Sequence, residues 1–103
     1  MTSAETPSLT QVFVRSERMV GRRIAEEYVL VPIVGRGPEL EAIFNLNRVG
    51  AFIWERLDGR ASGDEIVGDL VERFDVERAR AVDDYRAFMA QLLSIQAVRP
   101  SAP

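Results

Sequence analysis

The chain of 103 residues has no cysteine and no histidine, and all 13 of its basic residues are arginine, so it lacks lysine as well. The absence of cysteine excludes disulfides and thiolate metal sites. The absence of lysine and histidine excludes Schiff-base chemistry and the most usual general bases. Ser62 would have no base to activate it. We therefore predict a protein that is not an enzyme and has no cofactor and no metal site.

Long hydrophobic runs are also missing. No stretch of about 18 apolar residues occurs, and the first residues lack the basic and apolar regions of a secretion signal. We expect a cytoplasmic protein that does not interact with membranes. A chain of this length with 47% hydrophobic residues supports a single core. The prediction is one domain over residues 11–98 between flexible tails at residues 1–10 and 99–103.

Negative charge is concentrated in one part of the sequence. Residues 55–84 contain ten acidic residues and five arginines, whereas the whole chain has a net charge of −3. Neutralisation of phosphates supplies most of nonspecific affinity for nucleic acids. This distribution counts against a nucleic-acid partner.

Three short strands are predicted in the first half. Apolar residues cluster on both sides of a polar break at residues 26–27, which indicates two strands and a tight turn within residues 21–34. Glycine and proline at residues 35–38 indicate a further turn. The alternation from Leu40 to Asn45 then predicts a third strand of a small antiparallel sheet.

Three helices are predicted to follow. The first begins at Asn47, whose side chain can cap a free backbone N–H, and runs to about Leu57. The second begins with Ser62 and Glu65, which have the spacing of a capping box. The third covers about residues 79–95. Strands followed by helices predict an α+β fold.

Several short motifs in this region stand at the spacing of a known family. They are Leu46-Asn47, Gly50, Ile53-Trp54, Leu57-Asp58-Gly59 and Glu65-Ile66, with Asp84, Phe88 and Leu92-Leu93 in the last helix. On these residues the chain resembles the PqqD family over about residues 11–98. Members of that family are peptide chaperones in the synthesis of pyrroloquinoline quinone (PQQ) and other peptide-derived natural products.

The resemblance implies a winged helix-turn-helix fold and a function. The leader segment of a ribosomally made precursor peptide would add as a strand to the edge of the third strand, beside the last helix. A radical S-adenosylmethionine (SAM) enzyme would then receive the bound peptide. The resemblance leaves open whether the pathway is that of PQQ, and whether the protein acts alone or as a homodimer.

Simple physical arguments also favour this binding mode, because an edge strand presents unpaired backbone groups that an extended peptide can satisfy. The peptide-binding residues predicted on the third strand are Leu40, Glu41, Ala42, Ile43, Phe44 and Asn45. Those predicted on the last helix are Ala81, Tyr85, Phe88, Met89 and Leu92, a face wider than one packing stripe needs. Part of this face could equally belong to the core.

Other interpretations of single features are less specific. Phe52 and Trp54 have helical spacing and are expected in the core. The acidic residues of the second helix are expected on a solvated face and not in a metal site. Arg22 and Arg23 are expected to protect a strand edge, although they could also meet an acidic partner.

A different function class remains as the alternative. A winged helix-turn-helix fold would also suit a DNA-binding transcriptional regulator, since a fold does not dictate function. Such a regulator needs a basic recognition helix, and neither of the last two predicted helices is basic.

Overall fold

A computed structural model describes residues 8–34, 37–38 and 44–101. The strands are β1 (Val12–Arg15), β2 (Met19–Ile24), β3 (Glu27–Val34), β4 (Gly37–Pro38), β5 (Phe44–Leu46), β6 (Asp58–Ser62) and β7 (Val98–Pro100). The helices are α1 (Arg48–Glu55), α2 (Gly63–Phe74) and α3 (Arg78–Ser94). The predicted α+β class is confirmed in this mixture of antiparallel sheets and three helices.

One antiparallel sheet contains the predicted hairpin. β2 pairs with β3 from Met19 opposite Pro32 to Ile24 opposite Glu27, so a turn of two residues joins them. The other edge of β3 is shared by β5, which pairs near its start, and β4, which pairs near its end. β5 is thus a border strand of this sheet.

A second antiparallel sheet with the order β6-β1-β7 was not predicted. β6 lies between α1 and α2, and β7 follows α3, so the expected order of three strands and then three helices is incomplete. Each of these strands has three to five residues. Their pairing joins segments far apart in the sequence. Strands of this length also contain too few residues for an alternation of apolar and polar residues to be recognised.

The predicted helix starts are confirmed. Asn47 Oδ1 accepts a hydrogen bond from the backbone N–H of Gly50 at 2.8 Å. Ser62 and Glu65 form a complete capping box at the start of α2. α1 ends earlier than predicted, at Glu55, where the Arg15 guanidinium donates to the carbonyl oxygens of Trp54 and Glu55, each at 3.0 Å. A strand distant in sequence thus satisfies carbonyls that a helix end leaves free.

The core lies between the sheets and the helices. Its largest fully buried side chains are Tyr85, Leu30, Ile53, Leu57, Ile66, Leu70, Met89 and Val67. Trp54 is buried as predicted, whereas Phe52 is half-buried at the border of the core. The close approach of Trp54 to β2 requires glycine at position 21, since a Cβ there would lie 2.6 Å from the indole nitrogen.

The segments predicted as tails contribute partly to the fold. Arg99 and Pro100 belong to β7, and the backbone N–H of Ser101 donates to the carbonyl of Val12 at 2.8 Å. Leu9 packs against the core, and its carbonyl accepts from the N–H of Asp64 at 2.8 Å. None of the helices in the described ranges is long and apolar enough to cross a membrane.

Candidate functional site

An open groove runs between β5 and the second half of α3. Leu30 and Leu92 form its buried floor, and the half-buried side chains of Phe44, Phe88 and Ile95 form its walls. Its volume is about 500 Å³. None of the described residues that line it carries a charge. A groove of this kind suits apolar side chains of a ligand.

The border strand next to the groove has an open edge. β5 is antiparallel to β3, with Leu46 opposite Tyr28 and Phe44 opposite Leu30. Within residues 8–34, 37–38 and 44–101, no other strand pairs with β5. The backbone of β5 on that side is therefore available for another chain.

The predicted binding residues of the third strand are only partly described. Phe44 and Asn45 lie on β5, where Phe44 is half-buried and Asn45 is exposed. Both line the groove. The other four predicted positions, Leu40, Glu41, Ala42 and Ile43, lie outside the described residues.

The predicted residues of the last helix divide into two groups. Ala81, Tyr85 and Met89 are at most 1% exposed and belong to the core. They follow one another at intervals of four residues, so they form the stripe of α3 that faces inward. Phe88 is half-buried and lines the groove. Leu92 belongs to both groups, because it is 2% exposed and yet forms part of the groove floor.

Sequence reasoning did not identify five residues that line the groove, namely Leu30, Leu46, Gln91, Ser94 and Ile95. Leu30 and Leu46 come from strands of the same sheet, and pattern alone could not tell which sheet face the helix would cover. Gln91 and Ser94 are polar positions of α3. The spacing of three and four residues from Phe88 through Gln91 to Ile95 is a signal that could have found this helix face.

The position of Phe88 depends on a glycine in α1. A Cβ at Gly50 would lie 3.2 Å from Cε1 of Phe88, closer than ordinary van der Waals contact. Glycine at this position lets α1 and α3 approach each other where the Phe88 ring forms the groove wall. This contact gives a physical role to Gly50, one of the motif positions.

A second cleft continues from the groove. It lies between the start of α1 and α3, has a volume of about 280 Å³ and shares Phe88 and Gln91 with the groove. Its rim includes the Arg80–Asp84 ion pair, whose nitrogen and oxygen lie 3.3 Å apart. This end of the groove thus leads to a pair of charged side chains.

The described residues contain one buried side-chain polar atom without a hydrogen-bond partner. The hydroxyl of Tyr85 is buried and has no hydrogen-bond partner among the described residues. Burial raises the pKa of Tyr85 to about 12. The hydroxyl is enclosed by the core and does not open into the groove, so it supplies no reactive group to a ligand.

The described ranges contain no group of three or more His, Cys, Asp or Glu residues that could hold a metal ion. Two carboxylates of the helices form ion pairs with arginines. Asp69 pairs with Arg56 at 3.2 Å, and Asp84 pairs with Arg80. Both pairs are exposed and contribute little to stability.

The family model for coenzyme PQQ synthesis protein D (PqqD) matches residues 22–98, which is most of the chain. The chain belongs to the PqqD family. The matched region begins in β2 and ends at the start of β7, so it includes both walls of the groove. The comparison with curated proteins gives no match.

A solved structure is similar to this PqqD-family protein over nearly its whole length. It is that of TbiB1 in complex with the TbiA(beta) leader peptide. The two proteins share 26% sequence identity with a TM-score of 0.69, and the alignment covers 87% of this chain and 99% of that chain. The family predicted from the sequence is thus confirmed.

Proposed function

We propose that this protein binds the leader segment of a ribosomally made precursor peptide in the groove between β5 and α3. The observation that carries the proposal is the coincidence of a strand edge that has no second partner among the described residues with a groove of about 500 Å³, whose described lining is uncharged and consists mainly of apolar side chains. The similar protein TbiB1 has been solved with a leader peptide. Membership of the PqqD family also supports a binding function, since the members of that family are non-catalytic accessory proteins.

The binding mode that we propose is strand addition. An extended leader would continue the sheet beyond β5, and its backbone would pair with Phe44 to Leu46 and with the preceding residues 40–43. Alternate side chains of a strand point to the same face. Every second leader residue would therefore enter the groove against Phe88 and Leu92, and the residues between would face solvent.

The proposal also includes a partner enzyme. The bound leader would be presented to a radical SAM enzyme that modifies the precursor, and the protein itself would carry out no chemistry. In the winged helix-turn-helix interpretation, β2, β3 and β5 form the wing. The exposed faces of α2 and α3 contain both acids and arginines, which does not favour the alternative of a DNA-binding regulator.

The first test is a titration of isotope-labelled protein with the leader of the precursor peptide encoded beside its gene. The amide signals of Phe44 to Leu46 and of Phe88 to Ile95 should shift and saturate. A matched control is the leader with its sequence scrambled, which keeps composition and charge. Saturable shifts confined to other parts of the protein, or none at all, would contradict the proposed site.

A second test separates strand addition from side-chain docking without changing the protein. Methylation of the leader backbone at one nitrogen removes a donor and keeps all side chains. In a border strand only alternate residues direct their N–H groups to the neighbouring strand. Methylation at successive positions should therefore alternate between strong and weak loss of affinity. Uniformly small effects would exclude backbone pairing.

A further inference from the structure

A second surface lies where β2 and α1 meet the end of α2. Arg23 from β2, Arg48 from α1 and Arg73 from α2 surround the half-buried rings of Phe52 and Phe74. These residues border a shallow hollow of about 210 Å³ and are called the arginine–phenylalanine surface below. None of them lines the groove beside β5.

The aromatic part of this surface is held in place by its own packing. The rings of Phe52 and Phe74 pack edge to face with their centroids 5.4 Å apart. The guanidinium carbon of Arg73 lies 5.5 Å from the centroid of Phe74, and that of Arg56 lies 3.7 Å from the centroid of Phe52. Stacking of this kind restricts a guanidinium before any ligand arrives, which lowers the entropy cost of binding.

The charges of the surface are not balanced within the described part of the chain. Arg23, Arg48 and Arg73 form no ion pair with any carboxylate of the described residues. Glu55 is the one acidic residue that lines the hollow among those the structure describes. A positive surface on a chain of net charge −3 is a local exception to its overall charge.

Local stability explains only part of this arrangement. Arg73 lies in the last turn of α2, where the helix dipole favours a positive charge. Arg48 is the first residue of α1, where the same dipole disfavours it. Arg23 is an exposed residue of β2, and its guanidinium carbon lies 5.5 Å from the centroid of the Tyr28 ring. Folding therefore does not require the three arginines to converge.

We propose that the arginine–phenylalanine surface binds an acidic segment of a partner protein. Carboxylates of that segment would meet the free guanidinium groups, which offer paired donors that match carboxylate geometry. An apolar side chain of the segment would rest on the Phe52 and Phe74 rings. Asp69 and Glu72 border the neighbouring hollow on the α2 side, so the segment would lie toward Arg23 and Arg48.

The occupant is a short acidic protein segment for two reasons. The aromatic pair offers apolar contact that a free phosphate cannot use. The acidic residues of α2 and α3 repel a long polyanion such as a nucleic acid, which would extend beyond the hollow. Because the surface shares no residue with the groove, the proposal does not depend on leader binding, and both ligands could be held at once.

The test uses the full-length protein and a short synthetic peptide of alternating glutamate and phenylalanine. NMR signals of the Phe52 and Phe74 rings should shift and saturate. The double variant Arg23→Gln, Arg48→Gln should weaken binding about tenfold at low salt, since each exposed ion pair contributes roughly two- to fivefold. The control double variant Arg60→Gln, Arg86→Gln has the same net charge and should keep its affinity.

Four results would overturn the proposal. The first is the absence of saturable shifts at the Phe52 and Phe74 rings. The second is an equal loss of affinity in the two double variants, which would mean that only net charge matters. The third is that inorganic phosphate or a heparin fragment shifts the same signals as strongly as the peptide. A peptide with lysine in place of glutamate should not bind, and saturable binding of it would also exclude the assignment.

Discussion

Replacement of Tyr85 by phenylalanine should stabilise the protein. The side chain is fully buried, and its hydroxyl has no hydrogen-bond partner among the described residues. A buried hydroxyl without a partner costs about 1–3 kcal/mol, and the dispersion attraction between one oxygen atom and its neighbours offsets only a fraction of that cost. Tyr85→Phe should therefore raise the free energy of unfolding by about 1 kcal/mol. In a thermal melt this corresponds to an increase of roughly 4–8 °C in Tm.

The same residue should control stability at alkaline pH. An unfolded tyrosine titrates near a pKa of about 10, whereas burial raises the pKa of Tyr85 to about 12. Between these values the unfolded chain loses the proton and the folded chain keeps it. The free energy of unfolding then falls by about 1.4 kcal/mol per pH unit, or roughly 2–3 kcal/mol over the interval. Below pH 10 both states are protonated, and this contribution is constant.

The composition limits the number of side chains that contribute to this pH dependence. The chain has no lysine or cysteine and two tyrosines, so Tyr28 and Tyr85 are the side chains that titrate in this interval. Urea unfolding from pH 9 to 12 should show a steeper loss of stability in the original protein than in Tyr85→Phe. The variant should also bind the leader normally, because Tyr85 lies in the core. A less stable variant would show that the hydroxyl is hydrogen bonded. An unchanged pH profile in the variant would show that burial does not raise the pKa of Tyr85.

Other predictions concern packing and the groove. Gly21→Ala should lower the free energy of unfolding by about 1–3 kcal/mol, because its Cβ would lie 2.6 Å from the Trp54 indole nitrogen. Gly68→Ala is its control in urea unfolding and should be stabilising by about 0.5–1 kcal/mol, since a Cβ there meets nothing within 4 Å. Phe88→Ala should weaken leader binding by about tenfold or more in calorimetry, as loss of an aromatic anchor does. Phe52→Ala removes an equally half-buried ring outside the groove and should leave leader affinity unchanged; an equal loss would refute the assignment of Phe88.

The groove illustrates how far the sequence could locate a binding site. The helical spacing of the last helix identified an apolar face, and Phe88 and Leu92 of that face line the groove. The spacing could not separate them from Ala81 and Met89, which are buried and do not line the groove. The division depends on where α1, α2 and the sheets cover α3. That placement is a property of the packed molecule.

Local signals determined much of this protein. The caps at Asn47 and Ser62, the presence of a tight hairpin turn and the family motifs depend on residues close to one another in the chain, so the sequence alone was sufficient to predict them. The sheet of β6, β1 and β7 and the hydrogen bonds from Arg15 to the end of α1 join residues far apart in the sequence. So does the meeting of Arg23, Arg48 and Arg73 on one surface. Only tertiary structure decided these features, because packing of distant segments brings their partners together and no local periodicity records it.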